Sequence, residues 1–110
     1  MNWLPLTSLE QLDDIAILSS QKPQLIFKHS TRCSISMVVK SRLEKSDIPE
    51  NIDFYYLDLL SYRDISNQIA SRFEVHHESP QVLLIVKGEC VYDESQMAIR
   101  MDEILEQVDA

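Results

Sequence analysis

Short apolar runs alternate with amphipathic segments along this chain, and that alternation constrains its fold more than any other feature. Residues 25–27, 53–59 and 82–86 are rich in aliphatic and aromatic side chains, which is typical of buried strands. The segments between them carry apolar residues at helical spacing, namely Leu9, Leu12, Ile15 and Ala16; Ile35, Val38, Val39 and Leu43; Ile65, Ile69, Ala70 and Phe73. This pattern predicts parallel strands joined by right-handed crossovers, with helices on both faces of one sheet.

The N-terminal residues predict an edge strand and then a capped helix. The segment Asn2 to Leu4 is a candidate strand that ends at Pro5, because proline has no N–H for a sheet ladder. Ser8 is a typical helix N-cap, and Gln11, three residues later, is its predicted partner in a capping box.

The C-terminal residues predict a β-hairpin followed by a last helix. Gly88 supplies a tight turn between the run at 82–86 and the segment Cys90 to Tyr92. Ser95 is the predicted cap of the last helix, whose apolar side carries Met97, Met101, Ile104, Leu105 and Val108. The complete order, βαβαβαββα, is typical of a thioredoxin-like three-layer α/β fold. We expect a central mixed sheet, to which the terminal hairpin adds one antiparallel edge, in a single domain over residues 1–110.

The acidic composition argues against several classes of partner. The chain has 110 residues and a formal net charge of −8, whereas nucleic acids and anionic membranes both require a basic face. No apolar run reaches the about 20 residues of a membrane helix, and the segment Met1 to Leu6 lacks the regions of a signal peptide, so we expect a cytoplasmic protein. The single glycine, Gly88, leaves no glycine-rich loop for a nucleotide cofactor.

Cys33 is the candidate nucleophile because it stands between a predicted strand and a predicted helix. A helix N-terminus carries unpaired N–H groups and about half a positive charge, and both stabilise a thiolate. Cysteines in such positions titrate at roughly 3.5–7.5, compared with about 8.5 for a free thiol. Lys28, His29 and Arg32 are close in sequence and are expected to add positive potential, and Thr31 belongs to the same loop. The thiolate is the species that attacks a disulfide.

The third residue after Cys33 predicts the type of thiol chemistry. A two-cysteine redox motif would carry its resolving cysteine there, whereas this chain has Ser36. Serine cannot close an internal disulfide, although its hydroxyl can donate a hydrogen bond to the Cys33 sulfur. We therefore predict monothiol exchange, in which Cys33 forms a mixed disulfide with an outside thiol.

Ser79 and Pro80 are predicted to complete the site. In a thioredoxin-like sheet the loop before this strand faces the nucleophile, and its proline is cis. The backbone of Ser79 would then pair with an extended substrate segment, as an added strand does. His77 is a candidate for the lining of the same groove.

Neither a resolving role for Cys90 nor a metal site is predicted. The turn at Gly88 lies eight residues beyond Pro80, on the order of 25 Å along an extended strand, whereas a disulfide needs Cα atoms within about 7 Å. Cys90 is therefore expected to be an ordinary strand residue. His76 and His77 are adjacent on an extended segment and would point to opposite sides, which disfavours a shared ion.

Several segments together resemble a known bacterial family. The run Phe27-Lys28-His29-Ser30-Thr31-Arg32-Cys33, followed by Ser34-Ile35-Ser36, is similar to the monothiol proteins of the bacillithiol system, the YtxJ-like or bacilliredoxin-like group. The resemblance extends over almost the whole chain and includes residues 6–12, 57–63, 66–67 and 78–82. It implies a thioredoxin-like fold with Cys33 as the nucleophile, and we take Ser36, Arg32, Thr31 and His29 as supporting residues.

The resemblance also implies the reaction and its partners. Bacillithiol, a low-molecular-weight thiol, would be the co-substrate, with no bound cofactor, and thiol-modified proteins would be the substrates. Cys33 would remove the small thiol from a modified protein and keep it until a second thiol releases it. Two positions depart from the pattern, since Ser34 replaces a proline and Ser95-Gln96 replaces a Ser-His pair, so any role of that histidine is missing here.

Other functions stay open on the sequence alone. A lone cysteine on a helix is often a small buried hydrophobe, and the domain would then be a catalytically silent binding module for an extended peptide. A third possibility is a redox sensor that forms a disulfide with another chain through Cys33 or Cys90. The oligomeric state is not predicted.

Overall fold

A computed structural model describes residues 1–47 and 49–108 of the chain, and the last two residues of the predicted domain lie outside that range. The described residues form five strands, four α-helices and one 3-10 turn. In chain order these are β1 (Leu4–Pro5), α1 (Glu10–Leu18), β2 (Gln24–His29), α2 (Ser34–Glu44), β3 (Asp53–Asp58), α3 (Arg63–Arg72), β4 (Gln81–Val86), β5 (Glu89–Ser95), the 3-10 turn (Gln96–Ala98) and α4 (Met101–Val108). The predicted element order is confirmed.

The five strands form one mixed sheet in the order β1-β3-β2-β4-β5. The strands β1, β3 and β2 are parallel, whereas β4 is antiparallel to both β2 and β5. The predicted parallel crossovers therefore hold for the first three strands. The prediction of one antiparallel edge is wrong in its position, because the one strand that runs in the opposite direction is β4, which lies inside the sheet between β2 and β5. In the β2–β4 ladder Lys28 lies opposite Gln81, which brings the residues just before β4 to the end of β2.

Helices cover both faces of the sheet, as predicted. Successive side chains on a strand point to opposite faces, so the apolar residues of the sheet form one core on each face, and each core is covered by helices. Leu12 of α1 and Ile65 of α3 belong to the same core as Ile26 of β2. Val39 of α2 and Ile104 of α4 belong to the other core, which takes the neighbouring residues of β2. Complete burial of an aliphatic side chain contributes about 1.5–3 kcal/mol, so these two layers are the main source of stability.

Two predicted helix starts differ from the structure. At α1, Gln11 Oε1 accepts hydrogen bonds from the Ser8 N–H at 3.0 Å and the Thr7 N–H at 2.7 Å, which is one half of the predicted capping box. The Ser8 hydroxyl does not cap the helix, which begins at Glu10. The last helix begins at Met101 rather than after Ser95, because Gln96 has a left-handed φ of 58° that breaks a continuous helix.

None of the helices in the described part of the chain has the length and apolar character needed to cross a membrane.

Candidate active site

Cys33 occupies the N-cap of α2, which confirms its predicted place at the start of a helix. Its backbone is extended, with φ −105° and ψ 119°. Its N–H donates to the Ser30 carbonyl at 3.2 Å, and its own carbonyl accepts the N–H of Met37 at 3.1 Å. The side chain is half-buried, and the thiol is free. The Cys33 side chain makes no capping hydrogen bond to the first turn of α2.

The loop before Cys33 is a tight turn that exposes two of the predicted supporting residues. The Arg32 N–H donates to Ser30 Oγ at 3.3 Å, which shapes the turn. Thr31 and Arg32 are both exposed. The contribution of the Arg32 charge to the Cys33 site stays a prediction.

Ser36 hydrogen-bonds away from the sulfur. Its side chain is fully buried, and its Oγ lies 2.6 Å from Nδ1 of His29. The same Oγ accepts the N–H of Ser30 at 3.1 Å. No hydrogen bond joins Ser36 to the sulfur of Cys33 among the described residues, so the predicted contact is corrected. The Ser36 hydroxyl instead ties the end of β2 and the loop to the first turn of α2.

His29 does not supply the positive charge that the sequence predicted for it. The imidazole is 1% exposed and packs against the rings of Phe27 and Tyr56, at centroid distances of 5.6 and 5.3 Å. Burial, with a smaller contribution from the Lys40 cation, lowers the pKa of His29 below its ordinary value. The ring is therefore neutral at pH 7 and acts as a hydrogen-bonding partner of Ser36.

Lys28 points to the opposite face of the sheet from α2. Its ammonium donates to the Ser66 carbonyl at 3.1 Å and lies 3.3 Å from Nδ1 of His77. The side chain is fully buried, and burial lowers the pKa of Lys28 to about 8. The predicted addition of its charge to the Cys33 site is wrong, because strand alternation directs Lys28 toward α3.

One ring nitrogen of His77 contacts the buried side chains of Lys28 and Ser66. Its Nδ1 faces Lys28 and lies 3.4 Å from the Ser66 hydroxyl, although much of the residue is exposed. Burial and the nearby Lys28 cation lower the pKa of His77, so its ring is neutral at pH 7. A role of His77 in the substrate groove stays a prediction.

The Ser79–Pro80 peptide bond is cis, as predicted for this loop. Because Lys28 is paired with Gln81, Pro80 lies next to His29 at the end of β2 where the Cys33 loop begins. Pro80 is buried and Ser79 is half-buried. The proline loop and the Cys33 loop therefore meet at one end of the sheet.

Gln96 holds the proline loop from the other side, a contact that the sequence analysis missed. Its N–H donates to the Pro80 carbonyl at 3.0 Å, and its side-chain Nε2 donates to the Ser79 carbonyl at 2.6 Å. Arg42 of α2 donates from Nη2 to the carbonyls of Met97 and Ile99, which ties this segment to the helix that carries Cys33. No feature of the apolar pattern signals these contacts.

Cys90 is unsuited to serve as a thiolate. Cys90 lies on β5 and pairs with Ile85 of β4. Ile85 is four residues along β4 from Gln81, a distance of about 13 Å at the rise of an extended strand. The Cys90 sulfur donates to the Tyr92 carbonyl at 3.3 Å, and burial raises the pKa of Cys90 to about 11. The thiol stays protonated at pH 7, consistent with the predicted role as a strand residue.

Comparison with solved structures identifies the fold. A protein described as a candidate oxidoreductase with a thioredoxin fold is 30% identical, with a TM-score of 0.82 over 96% of this chain and 92% of that one. A thioredoxin of Malassezia sympodialis is 19% identical, with a TM-score of 0.74 over 98% of this chain and 90% of its own. Thioredoxin O2 of Arabidopsis thaliana is 15% identical, with a TM-score of 0.73 over 96% and 93% of the two chains. The predicted thioredoxin-like fold is confirmed.

Comparison with protein-family models identifies the family of the chain. The model of the monothiol bacilliredoxin BrxC matches residues 4–104, which include both the Cys33 loop and the proline loop. Together with the thioredoxin fold, this match assigns a thiol-based redox function to the chain. The chain belongs to the monothiol bacilliredoxin family.

Proposed function

We propose that the protein is a monothiol disulfide oxidoreductase that removes bacillithiol, or a similar low-molecular-weight thiol, from protein cysteines in the cytoplasm. The observation that carries the proposal is the position of Cys33, a free and half-buried thiol at the N-cap of α2. Cys33 lies at the positive end of the α2 dipole, and the thiolate is the species that attacks a disulfide. The family match supports bacillithiol as the small thiol.

The reaction has two exchange steps. The Cys33 thiolate attacks the small-thiol sulfur of a mixed disulfide, so that a new S–S bond forms to Cys33 and the old S–S bond breaks. The protein cysteine leaves as a thiolate and takes a proton from water. A second low-molecular-weight thiolate then attacks the Cys33 adduct, forms a disulfide with the bound small thiol and releases Cys33 as a thiolate.

The residues around Cys33 support an outside thiol as the resolving partner. Ser36 stands one helical turn after Cys33 and has no sulfur, while its hydroxyl is bonded to His29 and Ser30. Cys90 is on β5, and its pKa of about 11 keeps it protonated. With neither residue able to close an internal disulfide, the adduct on Cys33 persists until another molecule supplies a thiol.

The proline loop supports an extended protein substrate. Ser79 precedes the cis proline and lies outside the β4 ladder. Its N–H makes no hydrogen bond within the described part of the chain, whereas its carbonyl accepts Gln96 Nε2. A peptide that passes this loop in an extended conformation would accept the Ser79 N–H, which would bring its modified cysteine to Cys33.

The test is adduct mapping on wild type and two single variants. The protein is treated with bacillithiol disulfide, digested and analysed by mass spectrometry, and reduced bacillithiol is then added to release the adduct. We expect a reversible adduct on Cys33 in wild type and in Cys90→Ser, and none in Cys33→Ser. An adduct confined to Cys90, or a Cys33 adduct that no thiol releases, would refute the proposal.

Faster exchange with bacillithiol disulfide than with glutathione disulfide would support the choice of thiol, and the reverse order would contradict it.

A further inference from the structure

Gln96 combines an uncommon backbone conformation with a specific side-chain contact. Its φ of 58° is in the left-handed region, which disfavours side chains other than glycine, asparagine and aspartate. Its amide nevertheless reaches back to the residue before the cis proline, with Nε2 2.6 Å from the Ser79 carbonyl oxygen. A strained residue at a candidate site is a reason to look for a function of its side chain.

Of the two polar main-chain groups of Ser79, only the carbonyl is hydrogen-bonded in the described part of the chain. The Ser79 carbonyl is occupied by the Gln96 amide, whereas the Ser79 N–H makes no hydrogen bond within the described part of the chain. An added strand would need both groups, one to accept its N–H and one to donate to its carbonyl. The acceptor is thus already engaged before any substrate arrives.

The other atom of the same amide provides a substitute acceptor. Gln96 Oε1 has no hydrogen-bond partner among the described residues. It is also absent from the fully buried unpaired side-chain atoms of those residues, so solvent reaches it. An amide whose N–H₂ group is fixed on Ser79 therefore presents its oxygen to solvent beside the proline loop. A substrate N–H that cannot use Ser79 directly can donate to Gln96 Oε1 instead.

The side chain is not needed merely to hold the segment in place. The Gln96 N–H is bonded to the Pro80 carbonyl, and Arg42 holds the carbonyls of Met97 and Ile99. These backbone contacts already join residues 96–99 to the proline loop and to α2. The Gln96 amide is an additional polar group at the substrate end of that connection.

We propose that Gln96 is a substrate-binding and specificity-determining residue, whose side-chain oxygen accepts the backbone N–H of the cysteine that carries the mixed disulfide. This inference rests on the proposed function, because it assigns a contact for the same substrate. Gln96 would then favour exchange with substrates that have an amide N–H at the reacting cysteine. Exchange with small disulfides that lack this N–H would not be accelerated by Gln96.

The test compares two matched probes. The first is a short peptide whose cysteine forms a mixed disulfide with a small thiol, and the second is its depsipeptide analogue, in which an ester oxygen replaces that cysteine's N–H. Initial exchange rates at Cys33 are measured for wild type and Gln96→Lys. The lysine ammonium can donate to the Ser79 carbonyl as the Gln96 amide does, but it has no acceptor oxygen. A truncated side chain would instead free that carbonyl for the substrate. Lysine already occupies a left-handed φ at position 87. Lys87→Gly is the control, since Lys87 has a φ of 53° in the hairpin turn at the other end of the sheet.

We expect Gln96→Lys to slow exchange with the peptide probe by about 3- to 10-fold, the effect of one hydrogen bond. Exchange with the ester probe should change by less than about 2-fold, and Lys87→Gly should affect neither probe. Equal losses on both probes, or no loss on the peptide probe, would overturn the inference and leave the proposed function standing. If wild-type Cys33 reacts with neither probe, the proposed function itself fails.

Discussion

The Ser36 hydroxyl lies 2.6 Å from Nδ1 of His29, and both side chains are almost completely buried beneath the Cys33 loop. Because His29 ends β2 and Ser36 is in the first turn of α2, this pair joins the strand to the helix across the loop that carries Cys33. The same hydroxyl oxygen receives the Ser30 N–H. The geometry of the Cys33 loop thus depends on a buried polar contact.

Replacing Ser36 by alanine removes that contact and leaves buried groups unpaired. Ser36→Ala deprives Nδ1 of His29 and the Ser30 N–H of their partner, so we expect the free energy of unfolding to fall by about 1–3 kcal/mol. Urea denaturation measures the change. Ser34→Ala, at an exposed position of the same turn, is the matched control and should stay within about 0.5 kcal/mol of wild type. Equal stability of wild type and Ser36→Ala would show that the pair contributes nothing.

Replacing Ser36 by cysteine should convert the monothiol site into a dithiol site. Positions 33 and 36 are one helical turn apart, which is compatible with the Cα separation of about 4.4–6.8 Å in disulfides. We expect Ser36→Cys to form an internal disulfide on mild oxidation, seen by mass spectrometry as the loss of two hydrogens, and to hold the small-thiol adduct only transiently. Ser41→Cys, two turns away from Cys33 on the same helix, should form none. A persistent small-thiol adduct on Cys33 of Ser36→Cys would contradict this prediction.

Cys90 should resist alkylation until strongly basic pH. With a pKa of about 11 in the folded protein and about 8.5 for an exposed thiol, its thiolate fraction at pH 8 is smaller by about two orders of magnitude. The variant Cys33→Ser isolates this thiol, and its iodoacetamide reaction rate is followed with pH in the folded state and in urea. We expect the folded rate to rise steeply only toward pH 11. A folded rate at pH 8 equal to the urea rate would disprove the burial effect.

Lys28 should make stability increase with pH in a basic range. Burial lowers the pKa of Lys28 from 10.5 to about 8, so the unfolded chain binds its proton more tightly than the folded one. Folding therefore becomes more favourable as the pH rises from about 8 to 10.5, when the unfolded side chain also loses its proton. Relative to Lys28→Met, which does not titrate, wild type should gain up to about 3 kcal/mol in free energy of unfolding over that interval.

The measurement for Lys28 is urea denaturation of both proteins across that pH range. Lys87→Met serves as the control, because Lys87 is exposed in the hairpin turn and its replacement should leave the pH profile of wild type unchanged. A constant stability difference between wild type and Lys28→Met would mean that the buried ammonium titrates as it does in water.

The element order and the position of Cys33 at the start of a helix follow from the local sequence pattern. The apolar runs of β2, β3 and β4 and the helical spacing between them predict the alternation, and Cys33 stands where a strand gives way to a helix. Even so, the last helix was predicted to begin just after Ser95, five residues before the observed start of α4 at Met101. Periodicity cannot reveal a left-handed residue such as Gln96, because that conformation is held by hydrogen bonds to a distant loop.

The sequence by itself determined which segments are strands and helices and that Cys33 has no second cysteine one helical turn later, because these properties depend on neighbouring residues. Only the tertiary structure decided which contacts the polar groups around Cys33 make. Lys28 and His29 are consecutive, yet the pleat sends one to Ser66 and the other to Ser36 on opposite faces of the sheet. The partner of Ser79 is Gln96, seventeen residues along the chain. Burial and hydrogen bonding depend on what lies across the sheet, which one-dimensional spacing does not contain.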